Sequence, residues 1–204
     1  MMPPIVVVSG LPRSGTSLMM QMLEAGGVPL LVDGVRGADE DNPRGYFELE
    51  AVKAIGSDAS FLEDAPGKAV KVVAPLLRFL PAGFDYRVIM MERALSEVLD
   101  SQAKMLERTS PLASSRGGKP DAGLMASAFE SVLGRVDQFI SESPNIEVLR
   151  IAHRTVVENP RSAAQAVAEY LADSGTDIDL SSRLEEMVSV VTPDLYRARD
   201  SEGI

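Results

Sequence analysis

The first apolar run of the chain, Ile5-Val6-Val7-Val8, has no polar alternation and ends at Ser9, the pattern of a strand covered on both faces. The period then changes. In Thr16–Ala25 the apolar residues Leu18, Met19, Met22 and Leu23 recur at helical spacing, and Gly26-Gly27 closes the segment. Ala69–Val73, Tyr86–Met91 and Ile146–Ala152 read as further strands. Leu95–Leu106, Leu124–Ser141, Ser162–Leu171 and Ser181–Val191 read as helices, and Glu48–Ile55 as a shorter one. Asn159-Pro160 is a helix-start signal, a capping acceptor followed by proline at the first helical position. Unalternated strands separated by helices predict an α/β protein of three layers, α/β/α, around a central parallel sheet.

Two polar stretches interrupt this pattern. Asp33–Arg44 is acidic and rich in turn formers. Glu107–Gly123 holds Ser110-Pro111, Ser114-Ser115 and Gly117-Gly118, and reads as a flexible loop or lid. No internal repeat is present, and residues 1–204 read as a single domain.

Composition narrows the function classes. The chain has 20 Lys and Arg against 30 Asp and Glu, a net charge of −10. That balance argues against nucleic-acid binding by counterion release and against adhesion to anionic lipid. Zero cysteines exclude disulfides, thiolate catalysis and Cys-ligated zinc or iron–sulfur centres, and one histidine argues against a His-rich metal site. No apolar run approaches the ~18–20 residues of a membrane span. The start, Met1-Met2-Pro3-Pro4, lacks the basic flank of a secretory signal, so the expectation is a cytoplasmic protein.

Ligands of parallel sheets bind beyond the carboxyl ends of the strands, which directs attention to the loop after Val8. There Ser9-Gly10-Leu11-Pro12-Arg13-Ser14-Gly15-Thr16-Ser17 joins a strand to a helix. Glycines at 10 and 15 permit a tight turn, and the helix start supplies amides and a positive dipole end for an oxyanion. Against the pattern G-x-x-x-x-G-K-[ST], Gly10, Gly15 and Ser17 match, but Thr16 replaces the lysine. That replacement counts against ATP or GTP hydrolysis.

Pro12-Arg13-Ser14-Gly15-Thr16-Ser17 resembles the 5′-phosphosulfate loop, P-[KR]-[ST]-G-[ST]-[ST], of sulfotransferases that use 3′-phosphoadenylyl sulfate (PAPS). Arg93, at the end of a predicted strand, with Ser101 eight positions on, is similar to the pair that holds the 3′-phosphate in that family. Asn42-Pro43-Arg44-Gly45-Tyr46-Phe47-Glu48 is similar to an N-P-x-G-[FY]-[FW]-E segment of bacterial members, and Ile151–Pro160 to a stretch that places His153 near the adenine. The resemblance runs from about residue 5 to about residue 172.

The resemblance implies a P-loop, nucleoside-kinase-like fold. It implies PAPS as co-substrate, 3′-phosphoadenosine 5′-phosphate as product and no metal requirement. Pro12, Arg13, Ser14, Gly15, Thr16, Ser17, Arg93, Ser101 and His153 would bind the nucleotide. Arg13 and Lys71 would offset charge on the leaving and transferring groups; a solvated strand residue is the competing reading of Lys71. The histidine that many members carry two positions after this lysine is Val73 here. Glu48 is therefore the first candidate for the base, with Glu40 and Asp41 as alternatives, and an exposed carboxylate is its bland reading. Longer members end in a basic segment over the nucleotide; here Arg197 and Arg199 would serve the 3′-phosphate, or the nucleotide is held loosely.

The implied activity is transfer of a sulfuryl group to a hydroxyl or amine of a small-molecule or carbohydrate acceptor. The acceptor pocket is expected to draw on the loop Glu107–Gly123 or on a partner subunit in a homodimer. A P-loop small-molecule kinase, or other nucleotide-dependent transferase, and a non-catalytic nucleotide-binding module are the alternatives.

Overall fold

β1 (Ile5–Gly10) is buried at every position, as its unalternated sequence requires. In the computed structural model, residues 2–39, 42, 44–109, 122–172 and 178–192 are described. β2 (Ala69–Lys71), β3 (Tyr86–Glu92) and β4 (Ile146–Ala152) complete a four-stranded, all-parallel sheet in the order β2-β1-β3-β4. The helices are α1 (Thr16–Ala25), α2 (Leu95–Thr109), α3 (Ala122–Ser141), α4 (His153–Glu158), α5 (Pro160–Ala172) and α6 (Leu184–Ser189).

Alternate residues of β1 feed two cores. Val6 and Val8 pack with Met19, Met22 and Leu23 of α1 and with Val167 and Leu171 of α5. Ile5 and Val7 pack on the opposite side with Leu62, Leu77 and Val136. Helical layers thus cover both faces of the sheet, as the three-layer expectation required. Leu23 is fully buried, and truncating such a side chain to alanine costs about 2–5 kcal/mol.

Several boundaries differ from the sequence expectation. β2 ends at Lys71 rather than Val73, because a 3-10 segment with Pro75 in its first turn begins at Ala74. Glu48–Ile55 is a 3-10 turn over Glu50–Ala54 rather than an α-helix. The last predicted helix divides into a 3-10 turn, Leu180–Arg183, and α6; the Asp179 carboxylate accepts from Ser181 N and starts that turn. Residues 107–109 and 122–123 of the expected loop are helical, and the remainder of that loop lies outside the described residues. Among the described residues, no helix is long and apolar enough to cross a membrane.

The topology selects one crevice. The chain leaves β1 for β2 on one side, and leaves β3 for β4 on the other. The carboxyl ends of β1 and β3 therefore flank a switch point, where parallel sheets place ligands.

Candidate functional site

The loop leaving β1 carries unusual backbone at three positions. Gly10 has φ 150°, Arg13 φ 71° and Gly15 φ 97°. A side chain at Gly10 would lie 2.6 Å from the Met91 carbonyl oxygen and 2.3 Å from Ser14 Oγ, so only glycine fits. Gly15 caps α1 without a side-chain hydrogen bond, which leaves the first-turn amides of that helix without a side-chain cap. Such amides, at the positive end of the helix dipole, suit an anion. Ser14 is buried, and its hydroxyl turns inward against Gly10, without a hydrogen-bond partner. Thr16 is buried in the first helical turn, whereas Pro12 is exposed at the loop tip.

Arg13 is held in its left-handed conformation by contacts from two other segments. Arg93, the residue after β3, donates from Nη1 to the Arg13 carbonyl at 2.9 Å. Arg13 Nε donates to Ser101 Oγ of α2 at 3.0 Å. Arg93 Nε also donates to Glu97 at 2.8 Å, so its guanidinium is fixed on two sides. The three residues singled out for nucleotide binding from separate stretches of sequence thus converge beside the switch crevice.

Lys71 forms a second centre. It is 5% exposed, which removes the solvated reading. Its Nζ donates to Ser17 Oγ at 3.1 Å and to the Tyr46 carbonyl, and lies 3.7 Å from a Glu48 oxygen. Burial pushes the Lys71 ammonium down to a pKa of about 8, against a partly offsetting pull from Glu48. Ser17 in turn donates to the Tyr46 carbonyl at 3.3 Å and accepts from Asn42 Nδ2 at 2.9 Å.

Glu48 comes to this centre. One nitrogen of Arg36 donates to both its oxygens, at 3.1 and 3.3 Å. The same guanidinium lies 3.4 Å from the centroid of the Tyr46 ring, and the Tyr46 hydroxyl donates to the Asp39 carboxylate at 2.8 and 2.9 Å. Glu40, Asp41, Arg197 and Arg199 lie outside the described residues.

His153 opens α4 directly after β4, and its ring packs under the loop. A Cβ at Gly15 would meet His153 Cδ2 at 2.3 Å. Burial, reinforced by the Arg93 charge, pushes its pKa down to about 4, so the ring is neutral near pH 7.

Arg36, Asp39, Asn42 and Tyr46 were not among the residues expected to form the site. Tyr46 and Asn42 stood in the conspicuous Asn42–Glu48 segment, and Gly45 (φ 91°) and Phe47 (φ 52°) now explain it: two left-handed residues turn the Tyr46 carbonyl toward Lys71. Arg36 carried no sequence signal. Among the described residues no three His, Asp or Glu side chains group as a metal centre would require. Among the described residues, the α1 amides, Arg13, Arg93, Ser101 and Lys71 are groups whose chemistry suits an anion. No family model matches the sequence, and no curated protein matches it.

Proposed function

We propose that this protein is a PAPS-dependent sulfotransferase, built on a P-loop architecture and acting on a hydroxyl or amine acceptor. The observation that carries this reading is the convergence of Arg13, Arg93 and Ser101 beside the first turn of α1. Two guanidinium groups and a hydroxyl next to uncapped helix amides suit a nucleotide bearing phosphates at both its 3′ and 5′ positions.

In the proposed reaction, the acceptor oxygen or nitrogen attacks the sulfur of PAPS. The bond from sulfur to the 5′-phosphate oxygen breaks, and 3′-phosphoadenosine 5′-phosphate leaves with the electron pair. Arg13 and Lys71 offset the charge that gathers on the bridging oxygen. Glu48 takes the acceptor's proton. Fixed positive charge supplies most of the rate in such in-line transfers.

Calorimetry tests the binding half. Saturable binding of 3′-phosphoadenosine 5′-phosphate, tighter than that of AMP, is expected; equal or absent binding would overturn the reading. Radiolabelled PAPS offered with a panel of alcohols, amines and sugars tests the transfer half. Nucleotide binding with no transfer to any of them would favour a binding module instead.

One observation favours a second reading. Lys71 brings a lysine to Ser17, the hydroxyl after Thr16, and so supplies from β2 the cation missing from the loop. A small-molecule kinase would then bind ATP in a magnesium-dependent manner, which the same calorimetry decides.

A further inference from the structure

We infer that the stretch carrying Asn42, Tyr46 and Glu48 is an internal latch, whose own oxygens occupy the places on Lys71 and Ser17 that the oxygens of an anionic ligand would take. An ammonium has three donor hydrogens, and a hydroxyl has one donor hydrogen and two acceptor pairs. Lys71 Nζ faces three oxygens: Ser17 Oγ, the Tyr46 carbonyl and, at 3.7 Å, Glu48. The Ser17 hydroxyl donates to the Tyr46 carbonyl and accepts from Asn42 and Lys71. Ser17 is thus saturated from within the chain, and Lys71 has two donors engaged and a carboxylate beside the third. An oxyanion that engages either one must displace the Tyr46 carbonyl, the Glu48 carboxylate or both.

The latch has the features of an element that can exchange. Its C-terminal side is fastened by two hydrogen bonds that open with it, from Asp33 N to the Glu48 carbonyl at 3.3 Å and from Glu50 N to the Asp33 carboxylate at 2.6 Å. Between these bonds and the site it holds a bulky residue, Phe47, at φ 52°, a strained backbone for a side chain of that size. Arg36 is paired with Glu48 and stacked on Tyr46, so the two residues that contact Lys71 are linked to each other. An anion arriving at the first turn of α1 and the latch therefore compete for one lysine and one serine.

The inference rests on the proposed reading for its anionic ligand, and does not require sulfuryl transfer. Amide hydrogen exchange on the full chain tests it, with 3′-phosphoadenosine 5′-phosphate and inorganic pyrophosphate as separate probes. Saturating probe is expected to speed exchange at the Asp33, Gly45 and Glu50 amides several-fold, while the amides of β1 slow or hold. Glu48→Gln is expected to bind the probe about tenfold tighter than the natural chain does. Glu50→Gln removes the same charge from a residue paired with Lys53, and should gain far less.

Bound nucleotide with unchanged exchange at these amides would overturn the latch and leave the sulfotransferase reading standing. Equal gains from the two variants would likewise overturn it, since charge alone would then explain the effect. Binding and faster exchange with pyrophosphate but no binding of the nucleotide would uphold the latch and remove the reading. Failure of both probes to bind the natural chain and Glu48→Gln would remove both.

Discussion

Lys71 Nζ lies 3.1 Å from the hydroxyl of Ser17, although 54 residues separate them in the chain. The sheet creates the contact. Parallel pairing sets Lys71, the last residue of β2, beside Val8, two residues before β1 ends and the loop climbs to α1. A lysine on the neighbouring strand thereby reaches the helix start where the loop itself carries Thr16. Burial lowers its pKa to about 8, so its charge is present at neutral pH and is lost with mild alkalinity.

That pKa predicts a pH dependence of nucleotide binding. An oxyanion favours the ammonium form, so affinity for 3′-phosphoadenosine 5′-phosphate should fall as pH rises past about 8. Lys71→Met removes the charge at every pH. It should weaken binding at pH 7 by about 10–100-fold, as expected for loss of a hydrogen bond from a charged group, and flatten the alkaline decline. Calorimetric titrations at pH 7 and 9 on both proteins check this; an undiminished decline in Lys71→Met would assign the titration elsewhere.

Arg13 separates binding from stability. Its left-handed backbone, φ 71°, is strained for any residue with a Cβ. Arg13→Ala and Arg13→Gly both lose the guanidinium and should both lose nucleotide affinity. The glycine variant should nevertheless be the more stable of the two by about 1 kcal/mol, because glycine accepts this conformation. Urea denaturation of the two variants gives the comparison, and equal midpoints would show that the loop relaxes when the side chain is absent.

The parts of this site that local pattern could encode were legible in the sequence. Ile146–Ala152 and Thr16–Ala25 have the observed bounds, since each is long enough for its periodicity to be read. Arg93 and Ser101 were visible through the resemblance, which pairs an arginine after a strand with a serine eight positions on in the next helix. The α4 helix, His153–Glu158, was not, being short and holding the β-branched Thr155, Val156 and Val157. Arg36 was invisible for a different reason: it is an exposed loop residue whose role comes from Tyr46 and Glu48 alone. The saturation of Ser17 depends on sheet register and on a loop conformation with Phe47 at positive φ, neither of which a one-dimensional pattern records.

Gly15 and His153 should be energetically coupled. An alanine at 15 meets the His153 ring at 2.3 Å and must also hold φ 97°. Gly15→Ala is expected to destabilise the protein by about 2–4 kcal/mol, combining overpacking with backbone strain. Adding His153→Ala removes the clash but not the strain, so the double variant should lose less than the sum of the two single changes. A double-mutant cycle in thermal or urea unfolding measures the difference; strict additivity would mean that the ring and the loop move apart freely.

His153 also makes the fold acid-sensitive. Its folded-state pKa is lowered from 6.5 to about 4, chiefly by burial and next by the Arg93 charge. Between those two values the unfolded chain binds a proton that the folded chain refuses, so stability rises with pH through this window and is lost as pH falls from about 6.5 to about 4. Protonation places a second cation beside Arg93 and beneath Gly15, the residue that caps α1. His153→Gln keeps a polar side chain of similar reach without the titration. Unfolding midpoints recorded at half-unit steps from pH 4 to pH 7 should climb less steeply in that variant than in the natural chain. Parallel curves would mean that carboxylates alone set the acid limit.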